Sequence, residues 1–227
     1  MKEEHLETIL EACRKSFDPN VKLALINADL YFDDFIEDEN PLVRLAIANK
    51  GYNLDEYVYD EDWRVREAVA KCGDGKHLLL LYTDKDWHVR RAVADHQKLH
   101  SEIINSLVDD NNIEVRVTLA LNRHKSKKLA KDPSPIVRKA VADSGKEIRK
   151  LLKDSDPKVR EAAIMYGLTH DDAESKWVLR NRWKMCANCE HILDRYHKPT
   201  SRCPQCNFSM SNWREFSEEY YPSKANS

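Results

Sequence analysis

Apolar residues return along this chain in short bursts at a nearly fixed distance. Aligned on one valine, the bursts give seven copies of a single phrase. They read SFDPNVKLALINAD from Ser16, DENPLVRLAIANKG from Asp38, DEDWRVREAVAKCG from Asp60 and DKDWHVRRAVADHQ from Asp84. DNNIEVRVTLALNR from Asp110, DPSPIVRKAVADSG from Asp132 and DSDPKVREAAIMYG from Asp154 complete the set. The anchors are Val21, Val43, Val65, Val89, Val115, Val137 and Val159, at spacings of 22, 22, 24, 26, 22 and 22. Counting from each anchor, the valine at 0, a residue at +3 that is usually Ala, and a branched apolar residue at +4 share one helix face. A period of this size is the mark of stacked helical units, none of which can bury its apolar face alone.

The flanking residues fix where each helix starts. Position −3 holds Asp18, Asn40, Asp62, Asp86, Asn112, Ser134 and Asp156, whose short side chains can accept the orphan N–H groups of a first turn. Pro19, Pro41, Pro135 and Pro157 follow at −2, where proline's missing N–H costs nothing. Gly51, Gly73, Gly145 and Gly167 at +8 are expected to stop the helices. A second apolar triplet lies upstream at −11, −8 and −7: Phe32/Phe35/Ile36, Leu54/Tyr57/Val58, Leu78/Leu81/Tyr82, Ile104/Leu107/Val108 and Ile148/Leu151/Leu152. Each copy is therefore a pair of short helices. The triplet before the first anchor (Leu10, Cys13, Arg14) is degraded, as a terminal capping unit would be. Extra residues around Gly73–His77 and His96–Ser101 read as loop insertions.

The pattern D-x-[D/N/S]-x-x-V-R-x-A-V-A behind a Leu-rich helix resembles short HEAT-like repeats. Its period is closer to the leucine-rich repeat variant, whose units alternate an α-helix with a shorter, partly 3₁₀ helix. The resemblance covers roughly residues 6–168 and implies an all-α fold, a right-handed α-solenoid of about seven units over residues 1–168. It says little about function, because this scaffold serves unrelated roles.

Charge then bears on function. Position +1 is Lys22, Arg44, Arg66, Arg90, Arg116, Arg138 and Arg160, so stacked units would carry a column of positive charge. HEAT-like DNA glycosylases hold a duplex on such a surface. Asp60, Asp84, Asp110, Asp132 and Asp154 recur at −5, however, and an Asp–Arg ladder would tie neighbouring units together. Residues 1–168 hold 28 basic and 31 acidic side chains, which argues against a body evolved chiefly to hold nucleic acid. Positions +2 and +6 point outward, with a mixed composition that suits either a protein partner or an idle solvated face. Trp63 and Trp87 occupy the proline site of consecutive copies, either packing on a neighbouring turn or forming a paired aromatic contact.

The period ends after Gly167. Residues 169–184 suggest a capping or linker helix, with Trp177 and Trp183 to close the last unit, and residues 216–227 a flexible tail. Between them, residues 185–215 carry Cys186-x-x-Cys189 and Cys203-x-x-Cys206. Two thiolate pairs on tight turns make a closed tetrahedral site, which fits one structural Zn²⁺; iron is the alternative ion. CPQCN resembles a zinc-ribbon knuckle. His191 and His197 could replace a thiolate, but the four cysteines suffice. Arg180, Arg182, Lys184, Arg195, Lys198, Arg202 and Arg214 crowd this module, with Trp183 and Tyr196 among its aromatics. Basic and aromatic residues together suit nucleic acid or an acidic protein surface.

Several classes are not signalled. No apolar run reaches the roughly 18 residues that span a bilayer, and MKEEHLETIL lacks the core of an export signal, so a cytoplasmic protein is expected. No phosphate loop, dinucleotide fingerprint or nucleophile elbow occurs, and no small-molecule substrate is evident. His96 and His100 could share a metal only with ligands that the sequence does not supply. Cys13 and Cys72 read as buried. The leading expectation is a non-enzymatic interaction protein (adaptor, assembly factor or inhibitor) gripping a protein partner through the solenoid. The rival is a DNA- or RNA-binding protein using the basic ribbon and the Arg-lined units, and a third reading is a HEAT-like DNA glycosylase.

Overall fold

In the computed structural model the described residues are 2–170, 184–186, 192–193 and 213–215. The chain divides into two compact units, Met1–Thr118 and Leu119–Ser227.

Residues 2–170 are helical and repeat-like throughout. The first unit opens with α1 (Lys2–Arg14) and continues through α2 (Pro19–Asn27), α3 (Phe32–Phe35), α4 (Pro41–Asn49), α5 (Leu54–Tyr57), α6 (Trp63–Cys72), α7 (Gly75–Leu81), α8 (Trp87–Asp95) and α9 (Ser101–Leu107). Helix α10 (Ile113–Leu121) contains the boundary between the units. The second unit holds α11 (Ser126–Leu129), α12 (Pro135–Asp143), α13 (Ile148–Leu151) and α14 (Pro157–Thr169). Helices carrying the anchor valines pack side by side: α2 on α4, α4 on α6 and α6 on α8 in the first unit, α12 on α14 in the second.

The caps explain why each anchor helix begins where it does. Asp18, Asn40, Asp62, Asp86, Asn112, Ser134 and Asp156 each accept the N–H of the residue two further on, at 2.8–2.9 Å except for Ser134, at 3.3 Å. Val43, Val65, Val89, Val115, Val137 and Val159 are fully sealed, with Ile47, Val69, Val93, Leu119, Val141 and Ala163 at +4. A further column is sealed at +5: Ala48, Ala70, Ala94, Ala120 and Ala142. Val21 is only half-buried, which fits a terminal unit.

The joints between helices fall into two kinds, set by step length. Every 22-residue step passes through two left-handed residues, at +8 and +10: Asp29 and Tyr31, Gly51 and Asn53, Arg123 and Lys125, Gly145 and Glu147. Each of these joints enters a second helix of 4 residues. The 24- and 26-residue steps use extended backbone instead, at Gly73 and Asp74 and at His96 and His100. They enter second helices of 7 residues. The extra residues are therefore not simply loop: most are taken into a lengthened helix. In α9 this shift seals Ile103 and leaves Ile104 half-buried, the reverse of the triplet reading.

Gly73 is required by closeness, since a Cβ there would lie 2.6 Å from the Val69 carbonyl oxygen and 2.8 Å from His77 Cβ. Gly167 does not stop α14, which runs on to Thr169. Glycine also tolerates the right-handed helix that continues here. His170 ends the helix in extended backbone and stacks on Tyr166 at 3.9 Å.

Three short strands form an antiparallel sheet of order β2-β1-β3: β1 (Lys184–Cys186), β2 (Ile192–Leu193) and β3 (Trp213–Glu215). Lys184 pairs with Leu193 on one side of β1, and Cys186 pairs with Trp213 on the other.

Candidate interaction surfaces

The arginine column is built into the frame of the repeats. Arg66 of α6 donates from Nε and Nη2 to both oxygens of Asp84, at 2.7 and 2.9 Å. Its Nη1 donates to the carbonyls of Asp60 and Glu61 at 2.7 and 3.1 Å. Arg44 grips Asp60, Arg90 grips Asp110 and Arg138 grips Asp154 in the same two-pronged way. Lys22 pairs with Asp38 in the first copy. Arg116 and Arg160 reach the carbonyls of Asp110 and Asp154 at 2.6 and 2.7 Å. Each of these aspartates also accepts the N–H of the capping residue two places on, so one carboxylate fixes a turn and a neighbouring guanidinium together.

A guanidinium has five N–H groups. In Arg44 and Arg90 all five have acceptors, the last being Glu61 and Asn111. Hydrogen bonds donated to Asp60, Asp84, Asp110 and Asp154 raise Arg44, Arg66, Arg90 and Arg138 above their ordinary values. Burial pushes the Asp154 carboxyl up, but the Arg138 N–H groups, the Asp156 N–H and the charges of Arg138 and Arg160 outweigh it and hold the group below the ordinary value. Arg44 and Arg90 thus have no N–H group left over for a phosphate.

The outward positions sort less simply than the periodicity implies. All seven +6 residues are exposed, but Leu23, Leu45, Glu67 and Val117 at +2 are half-buried. Glu67 meets Lys71 at 2.9 Å and Arg91 of the next copy at 3.7 Å. Trp63 and Trp87 do not touch as a pair. His88 lies between them, stacked at 4.3 Å on Trp63 and 3.7 Å on Trp87, with its Nδ1 at 2.9 Å from Asp86. Cys13 is half-buried and Cys72, at the end of α6, is exposed rather than buried. His96 and His100 do not converge: His96 Nδ1 accepts the Lys98 N–H, and His100 lies against Gly75. Among the described residues no group of three His, Cys, Asp or Glu is placed to hold a metal ion.

The surface that varies most lies on the second helices, at −10, −9 and −6. In α3 and after it these positions are Asp33, Asp34 and Glu37; in and after α5 they are Asp55, Glu56 and Tyr59, all exposed. In and after α11 they are Lys127, Lys128 and Lys131; in and after α13 they are Arg149, Lys150 and Lys153, again all exposed. Leu79 and Leu80 of α7 fill the same places and are 40% and 50% exposed. The units differ accordingly: residues 1–118 carry 15 basic and 25 acidic side chains, residues 119–227 carry 22 and 14. The chain's net charge of −2 hides this contrast. Splitting the count, or reading the solvent-facing places between the apolar ones, would have found it.

In the first unit the acidic positions border an open cleft of about 440 Å³ lined by Arg14, Asp29, Tyr31, Phe32, Asp33, Asp34 and Tyr52. Tyr52 donates to Asp33 at 2.5 Å, and Arg14 holds Asp34 with two bonds of 2.6 Å. Phe17 nearby in sequence is 94% exposed, and Tyr59 is 74% exposed.

Of the C-terminal candidates, Lys184 and Cys186 lie in β1 and Arg214 in β3. Cys189, Cys203, Cys206, Arg180, Arg182, Trp183, Arg195, Tyr196, Lys198 and Arg202 lie outside the described residues, as do the tail and residues 171–183 of the linker helix expected over 169–184; at its described ends Thr169 closes α14, His170 is extended and Lys184 opens β1. Among the described residues, no helix is long and apolar enough to cross a membrane.

These features define a helical repeat protein of short two-helix units. Among solved structures it is similar to one described as a leucine-rich repeat variant with a novel repetitive protein structural motif. The two share 23% identity over 70% of this chain and 79% of the other, with a TM-score of 0.50, a likeness of fold alone. No family model and no curated protein matches the chain.

Proposed function

We propose that this chain is a non-enzymatic interaction protein whose repeats form a constant frame for a varied surface. The observation that carries the reading is internal to the chain. The anchors, caps and charged rungs recur from copy to copy, while the exposed −10, −9 and −6 positions run from acidic, through Leu79/Leu80/Thr83 and Asn105/Ser106/Asp109, to basic. The first unit offers the protein-binding face. Its carboxylates beside Phe32 and Tyr52, with exposed Phe17, Tyr59, Leu79 and Leu80, suit a partner that presents basic side chains on an apolar base. The test is affinity purification from the native host with nuclease added, followed by mass spectrometry. A stoichiometric protein partner retained after nuclease, and lost on Asp33→Lys with Asp55→Lys, is expected. A partner unaffected by that pair of changes would move the site elsewhere, and none at all would end the reading.

A structural zinc ribbon completes the proposal. Strand β1 ends at Cys186, and the antiparallel β2 begins at Ile192, so the chain reverses across the segment containing Cys189. Strand β3 returns to pair Trp213 with Cys186, so the 194–212 segment carrying Cys203 and Cys206 starts and finishes at strands that flank β1. Four thiolates in two Cys-x-x-Cys pairs would fit one Zn²⁺ with no position left for a catalytic water. The ion would supply folding energy to a segment as short as 185–215.

A further inference from the structure

We propose that Lys127, Lys128 and Lys131 with Arg149, Lys150 and Lys153 form a surface that binds the phosphate backbone of nucleic acid. This goes beyond the protein-binding face of the first unit and uses different residues.

Three observations carry it. The two triads have the same construction. Helices α11 and α13 are each 4 residues long, and each is entered through a pair of left-handed residues. Their anchors stand 22 residues apart. The six cations therefore occupy matching positions in two consecutive copies, whose anchor helices α12 and α14 pack directly on each other. Secondly, the charge is not a property of the repeat. The same positions hold Asp33, Asp34 and Glu37 and then Asp55 and Glu56 in the first unit, also exposed. Solvation alone would be met by either sign, or by a mixture.

Thirdly, the composition separates nucleic acid from an acidic protein. Protein interfaces have apolar or aromatic centres and are depleted of lysine. Here all six exposed positions are Lys or Arg, with no apolar residue among them. Lysine is a flexible, hydrated point charge that suits phosphates spaced along a strand, and its contacts read no base. Arg123, Lys125 and Lys146, exposed in the joints leading into α11 and α13, widen the patch.

The test uses the full-length protein and a labelled single strand or duplex, with binding followed by fluorescence anisotropy across a salt series. Six phosphate contacts predict that log K falls against log salt with a slope of about −4 on a single strand and about −5 on a duplex. Lys127→Ala with Lys150→Ala should lower affinity at least tenfold and flatten the slope by about 2, with unchanged circular dichroism. Poly-glutamate serves as the acidic-protein probe and should compete poorly. No binding at low salt would overturn the proposal. So would binding that survives the Lys127/Lys150 pair but is lost on Arg195→Ala with Arg202→Ala, or equal binding of poly-glutamate. Because Asp33→Lys with Asp55→Lys should leave this binding intact or strengthen it, failure here is distinguishable from failure of the protein-partner reading.

Discussion

Arg66 and Asp84 are 18 residues apart and joined by two parallel hydrogen bonds, with 6% and 8% of their side chains exposed. The same guanidinium holds the Asp60 carbonyl of its own copy. One side chain thus reads the turn behind it and the turn ahead. Apolar columns alone would allow one helix to slide on the next by a turn; a charged fork with fixed partners does not.

Removing one partner should be costly because the other remains buried and charged. Arg66→Ala is expected to destabilise by about 3–5 kcal/mol, and adding Asp84→Ala should recover part of that loss. Chemical denaturation of the single and double variants gives the coupling. Because the pair is buried, added salt should change this coupling little, unlike the steep salt dependence predicted for nucleic-acid binding.

Acid should loosen the second unit in a defined window. The Asp154 carboxyl titrates below its ordinary value when folded. Its contribution to stability is complete above the unfolded value of about 4 and is lost as pH falls through the lower folded value. Unfolding free energy should therefore drop below about pH 4, and Asp154→Asn should flatten that part of the profile. An unchanged profile in the variant would show that the rung does not set the acid limb.

Two glycines separate backbone strain from collision. Gly51 and Gly145 have φ of 75° and 77°, yet a Cβ at Gly51 meets nothing within 4 Å, whereas at Gly145 it would overlap the Tyr166 ring. Gly51→Ala should cost about 1–2 kcal/mol from left-handed strain alone. Gly145→Ala should cost clearly more, and Tyr166→Ala should bring the two closer. Melting curves of the four proteins decide it.

Metal should matter to one end of the chain only. Elemental analysis is expected to find one zinc per chain, lost on Cys203→Ser. The cooperative melting of the repeats should persist after chelation, because none of their described contacts uses the four paired cysteines. Collapse of the whole helical signal on chelation would contradict this.

The sequence made the frame legible because anchors, caps and charged rungs act over short, fixed distances. Position +5 escaped because alanine counts weakly as apolar, although Ala48, Ala70, Ala94 and Ala142 are sealed. Tyr31, Arg123, Lys125 and Glu147 are not residues that announce a left-handed turn; the step length and the packing on both sides impose it. Gly167 failed as a stop for the converse reason, since a permissive residue does not compel a turn. The charged triads were hidden because whole-chain counting averages an acidic unit against a basic one.

The two kinds of joint carry a consequence for how such a gene can change. Copies separated by 22 residues share one kind of joint and a cap at the same position, so unequal recombination can delete or duplicate a whole copy there and leave the joints matched. The 24- and 26-residue steps between Val65 and Val115 break that equivalence. Crossovers that slip across them would join an extended entry to a short helix, so this protein's length is free to drift at its flanks and pinned at its middle.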